Sequence, residues 1–134
     1  MSDPQRIAIG RDADIVMARQ AGRELAALMG FKGSDLALIA TAISEIARNI
    51  LVYAKRGEID LSGAEEGGRR GIVVIARDQG PGISNVEQAM RDGFSTGGSL
   101  GLGLPGARRL MDEFEIESQV GVGTTVRMRK WVRR

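Results

Sequence analysis

The run Ile72-Val73-Val74-Ile75-Ala76-Arg77-Asp78-Gln79-Gly80-Pro81-Gly82 decides the fold class. Its first five residues are apolar throughout and mostly β-branched, which predicts a central strand buried on both faces of a sheet. The strand gives way to Asp, Gly and Pro, which build turns. In α/β domains ligands sit beyond strand ends. Asp78 could there accept a hydrogen bond from an exocyclic amine, while Gly80 and Gly82 let backbone lie against a flat ring. A plain turn uses the same residues, so this stretch alone leaves both readings open.

Upstream, Leu36, Ile39, Ile43, Ile46, Ile50 and Leu51 recur at the spacing of a buried helical stripe. Gly33-Ser34 opens this helix, with Ser34 as candidate cap, and Lys55, Arg56 and Gly57 end it. Before it, Arg6 to Gly10 alternates as a short strand. A helix from an Asp12 cap to Met29 follows, stopped by Gly30, with Ile15, Leu25, Leu28 and Met29 inward. Strands over 58–62 and 71–77 flank a charged turn, Glu65 to Arg70. Downstream come a polar, glycine-rich stretch over 78–99 with a short helix near 86–90, then a helix from Leu104 to Glu113. Strands near 114–118 and 124–132 close one α/β domain over residues 1–134, its strands in one sheet and its helices on one face.

Glu45 and Asn49 are four residues apart, so they stack on one side of the second helix beside the apolar stripe. Such a pair also occurs on the half-exposed flank of an ordinary helix. The run Gly97-Gly98-Ser99-Leu100-Gly101-Leu102-Gly103-Leu104 leads into a helix at Pro105, where unpaired N–H groups and the helix dipole favour an anion; a surface loop is the alternative. Gly101, Gly103 and Gly106 satisfy a dinucleotide fingerprint, but Phe94 to Gly98 is no strand, and that reading fails. No Walker-type phosphate loop is present. Gly121-Val122-Gly123-Thr124-Thr125 reads locally as a glycine hairpin.

Composition excludes other classes. With no histidine in 134 residues, the chain has no histidine nucleophile and no histidine of its own to phosphorylate. With no cysteine, it has no disulfide framework. A net charge of +2 is too slight to imply nucleic acid binding. No apolar run approaches the roughly 20 residues that span a bilayer, and no signal-peptide pattern opens the chain, so a cytoplasmic location without membrane contact is expected. The basic residues Arg127, Arg129, Lys130, Arg133 and Arg134 suggest a solvated edge strand, or else a surface for an acidic partner.

Taken in order, E-x-x-x-N at Glu45 and Asn49, D-x-G-x-G at Asp78, Gly80 and Gly82, G-x-G before a helix and G-x-G-T at Thr124 resemble the GHKL (Bergerat) ATPase family over nearly the whole chain. The resemblance implies an α/β (α+β) two-layer sandwich: a mixed, mainly antiparallel sheet with helices on one face. It implies ATP and Mg2+ as cofactors, with Asn49 giving an amide oxygen to the metal. Asp78 would recognise the adenine amino group, helped by Thr124. Gly98, Ser99, Leu100, Gly101, Leu102 and Gly103 would contact the phosphates, beside a mobile lid. Within the family, Ser44 to Ile50, Ser95 to Leu104 and Arg109 to Phe114 are most similar to the RsbT-type serine/threonine switch kinases. Such kinases phosphorylate a STAS-domain antagonist protein and then activate a PP2C-type phosphatase. The alternative within the resemblance is an anti-sigma factor that sequesters a sigma factor. A free-standing ATPase of the chaperone or topoisomerase type is the third option, disfavoured because no transducer domain is read in these 134 residues. A monomer or a homodimer suits either partner scheme. Glu45, close to Asn49, is the candidate catalytic base, and Arg48 and Arg91 are candidate stabilisers of a transferring phosphate.

Overall fold

Residues 4–83, 90 and 103–133 are described by a computed structural model. In chain order its elements are β1 (Gln5–Ile9), α1 (Asp12–Met29), α2 (Ser34–Tyr53), β2 (Gly57–Glu66), β3 (Arg69–Asp78), α3 (Gly103–Leu110), β4 (Glu113–Gln119) and β5 (Gly123–Trp131). The strands form one five-stranded sheet, ordered β1-β2-β3-β5-β4. Every ladder among the described residues is antiparallel. The two-layer sandwich holds, with no parallel pair among these strands.

Strand alternation divides β3 between two environments. Ile72, Val74 and Ala76 are buried, whereas Val73 and Ile75 are only half-buried. The expectation of burial on both faces is corrected, because the described helices pack on one face alone. On the other, Val73 lies beside Arg129 and Ile75 beside Arg127, whose aliphatic stems shield them in part. On the covered face Ile59, Leu61, Val126 and Met128 meet Ile39, Ile43, Ile46 and Ile50 of α2. Each of these large side chains contributes about 1.5–3 kcal/mol by leaving water.

α2 is the core helix, and it also amends a sequence expectation. Its 20 residues and mean hydropathy of 1.5 meet the length and composition needed to cross a membrane. Half of that window is buried within the protein, against α1, α3 and the sheet. Gly33, not Ser34, is its cap residue; Ala54 closes it, and Gly57 already belongs to β2.

α1 begins one residue earlier than a cap at Asp12 requires. Arg11 is the cap, and Asp14 reaches back to accept hydrogen bonds from Gly10 N (2.9 Å) and Arg11 N (3.0 Å). Those backbone donors, Gly10 first, lower the Asp14 carboxyl below its ordinary range. Gly30 ends the helix in the left-handed region, as anticipated. Leu28 is 75% exposed and is not an inner-face residue; Ala18, Gly22 and Ala26 are buried instead.

The β2–β3 turn is tighter than Glu65 to Arg70, since both strands continue to Gly67-Gly68. β5 is interior, between β3 and β4, which corrects the edge-strand reading of its basic residues. Lys130 is buried because it lies on the covered face below α3, where its Nζ donates to Leu110 O at 2.9 Å. A cation there complements the negative end of the helix. The short helix expected near 86–90 falls, except for Met90, outside the described residues.

Candidate functional site

The end of β3 sits where three elements converge. Asp78 continues the alternation of Ile72, Val74 and Ala76, so its side chain lies on the helix-covered face. Gly57 pairs with Asp78 from β2 and Thr124 pairs with it from β5. A Cβ on Gly57 would approach both Ile50 of α2 and Asp78, so the last turns of α2 lie directly over this strand end. Asn49 is about 7 Å along the helix axis before Ala54, and Glu45 about one turn earlier.

The loop after Asp78 is held from within and from both sides. Asp78 Oδ1 accepts from Gly80 N at 2.9 Å, which fixes the carboxylate and turns the chain. Gly80 backs onto Ala54, leaving no room for a side chain. Gly82 has a φ of 79°, in the left-handed region, and lies against the backbone of Gln119. Gly121 N donates to Pro81 O at 2.9 Å, tying the β4–β5 hairpin to the loop.

Ser118 completes that tie and was not visible from sequence. Its Oγ accepts from Ile83 N at 2.7 Å and shares a 2.8 Å hydrogen bond with Thr124 Oγ1. Thr124 is thereby buried and oriented beside Asp78. Only the hairpin register, which places Ser118 opposite Thr124, could have signalled it. Gly123 is a close-approach position: a Cβ there would run into Asp78 O.

Glu45 is 7% exposed, unusual for a carboxylate, and its Oε1 accepts from Arg48 Nη1 at 3.1 Å. Asn49 is half-buried one turn further on. The structure places Asp78, Gly80 and Thr124 at one strand end beneath the last turns of α2, with Gly82 in the loop that follows and Asn49 and then Glu45 earlier along that helix. Gly103 is the first residue of α3. Gly98, Ser99, Leu100, Gly101 and Leu102, and Arg91, lie outside the described residues. A cleft of about 660 Å³ also opens at this end of the sheet. Asp78, Ser118 and Thr124 line it together with Glu58, Arg77, Thr125 and Glu117, a cross-strand row on the face away from the helices, so it begins at the strand end and extends onto the uncovered face.

Residues 11–130 match the family model described as a histidine kinase-like ATPase domain. This chain belongs to that family. It is 50% identical over 133 residues to the serine/threonine-protein kinase RsbT of Bacillus subtilis (strain 168), covering 99% of this chain and 100% of the relative. It is 38% identical over 106 residues to an anti-sigma F factor of Caldanaerobacter subterraneus subsp. tengcongensis, covering 75% of this chain and 73% of that one. The mycobacterial sensor histidine kinase MprB shares the fold with a TM-score of 0.57 at 15% identity, covering 96% of this chain and 97% of that one. The catalytic domain of histidine kinase ThkA does so with a TM-score of 0.54 at 16% identity, covering 95% and 97%. The family and the GHKL resemblance read from the sequence agree.

Proposed function

We propose that this protein is an ATP-dependent serine/threonine kinase of a partner-switching module. It phosphorylates an antagonist protein with a STAS domain and then activates a PP2C-type phosphatase, acting in the cytoplasm. The reading is carried by Glu45, a buried carboxylate one turn from Asn49, in a chain that matches a serine/threonine kinase along its whole length. In this scheme Asp78 takes the adenine amino group, supported by Thr124, while Gly80 and Gly82 let the loop lie against the ring. Gly98, Ser99, Leu100, Gly101, Leu102 and Gly103 cradle the phosphates ahead of α3.

The donor set suits magnesium better than a metal held by protein alone. No group of three or more His, Cys, Asp or Glu is placed so that it could hold a metal ion among the described residues. A site offering one amide oxygen, from Asn49, fits an ion that keeps its waters and binds largely through substrate phosphates. Bound there, Mg2+ would neutralise phosphate charge. The chain's own part is to orient nucleotide and hydroxyl, and to receive the hydroxyl proton on Glu45.

A second reading, sequestration of a sigma factor, is favoured by the 38% identity to an anti-sigma F factor. Both readings share the nucleotide site and differ in the partner. The test is transfer from γ-labelled ATP to a purified STAS-domain protein of the same genome. Acid-stable label on that protein is expected, and Glu45→Ala should abolish it while leaving nucleotide binding largely intact. Acid-labile label, or full transfer by Glu45→Ala, overturns the corresponding part. Co-elution with a sigma factor and no transfer would favour the second reading.

A further inference from the structure

Arg48 occupies a position that the nucleotide-binding residues leave without a role. It follows Glu45 by three places on α2, where side chains of one helix face meet. Its Nη1 reaches Glu45 Oε1 at 3.1 Å, although the two differ sharply in exposure: the Glu45 side chain is 8% exposed and that of Arg48 is 42%. The ion pair thus runs from the edge of the core outward. A buried carboxylate needs a compensating partner, and among the described contacts Arg48 is the one that Glu45 has.

The geometry points to Arg48 as a positioning residue for the proton acceptor, which deepens the kinase reading and rests on it. Arg48 holds Oε1 and so fixes the carboxylate rotamer, and Oε2 is the oxygen that meets the incoming hydroxyl. In the transfer step the Ser or Thr hydroxyl oxygen forms a bond to the γ-phosphorus. The bond from that phosphorus to the β,γ-bridging oxygen breaks, and its electron pair leaves with ADP. The hydroxyl proton passes to Glu45 Oε2 and later to solvent. Arg48 makes and breaks no covalent bond. It sets where the acceptor oxygen stands, and a displacement of about 1 Å at such a group slows catalysis on the order of 100-fold. This assignment differs from that of a phosphate-stabilising arginine, which would touch the transferring group itself.

The two roles separate in a kinetic comparison of the full chain with Arg48→Ala, Arg48→Lys, Glu45→Gln and the Glu45→Gln/Arg48→Ala double variant. Labelled ATP and a purified STAS-domain protein report single-turnover transfer, and a fluorescent nucleotide reports ATP and ADP affinity. Arg48→Ala is expected to slow transfer about 10- to 100-fold while both nucleotide affinities stay within about twofold. Retained affinity also reports a folded variant. Arg48→Lys should recover part of the rate, and Arg48→Ala should add nothing in the Glu45→Gln background. Arg48 is instead a phosphate contact if Arg48→Ala weakens ATP relative to ADP, or slows Glu45→Gln further by the same factor. A full rate in Arg48→Ala beside a slow Glu45→Gln overturns the positioning role alone. A full rate in Glu45→Gln removes the base reading on which it rests.

Discussion

In the proposed scheme Asp78 does two tasks with one carboxylate, shaping its loop and taking the adenine amino group. Oδ1 is committed to Gly80 N at 2.9 Å, so the turn that brings Gly80 and Gly82 forward also fixes where the other oxygen stands. Asn at this position keeps an acceptor for Gly80 and nearly the same shape, but it replaces the second oxygen by an amide donor. Facing an exocyclic amine, that donor cannot pair. Asp78→Asn is therefore expected to weaken ATP binding by about 1–3 kcal/mol with little change in fold stability. Titration with ATP checks it, and an unchanged affinity removes the adenine assignment. Glu45, Asn49, Asp78 and Thr124 could be singled out because their four motifs follow one another in the order of the GHKL resemblance, although each has a bland local reading. Ser118 could not, since a serine in a strand has no distinguishing pattern. Its importance comes from lying opposite Thr124 in the hairpin.

Among the elements, both long helices were legible from sequence, but α2 announced its packing face and α1 did so only in part. Four buried isoleucines at helical spacing mark the inner face of α2. α1 buries Ile15, Ala18, Gly22 and Ala26, mostly small residues, while Leu28 points to water. A search for large apolar residues finds Ile15, Leu25 and Met29 on this face but adds Leu28 wrongly and misses the small residues that make the close contact. The reason is close packing: a Cβ on Gly22 would fall within contact distance of Ile43 Cδ1 of α2. Small residues let the helices approach, and the large side chains of α2 fill the space between. Gly22→Ala should destabilise the protein by about 1–3 kcal/mol, the usual cost of overpacking, despite alanine's better helix propensity. Ile43→Val removes the clashing methyl. The Gly22→Ala/Ile43→Val pair should thus unfold at higher denaturant than the sum of the single effects allows. Strict additivity in urea melts would show that the clash is relieved elsewhere.

Across the whole molecule, one sheet face is roofed by helices and the other is laced by charge. The apolar run of β3 gave its central place but not the asymmetry, because half-buried Val73 and Ile75 look in sequence like fully buried residues. The basic run of β5 misled similarly: composition suggests an edge, whereas strand order is set by pairings that composition does not encode. On the uncovered face, Asp60 of β2 is buried between Arg6 of β1, whose Nε lies 2.9 Å from Oδ1, and Arg77 of β3. One carboxylate thereby ties three strands. The hydrogen bond from Arg6 first, and then that from Arg77, hold the Asp60 carboxyl below its ordinary range. A carboxyl depressed in the folded state stabilises above its unfolded value of about 3.9, and that contribution is lost as pH falls through the lower folded value. Asp60→Asn should therefore be less stable than the wild type near pH 7, by about 1–3 kcal/mol for a hydrogen-bonded buried charge. Toward acid the two should converge, because protonated Asp60 and asparagine are then both neutral. Asp14, whose carboxyl is also lowered, is present in both proteins, so their difference isolates Asp60. Urea midpoints between about pH 7 and pH 2 measure that difference; a gap that stays constant across this range would show that the Asp60 charge does not hold the three strands together.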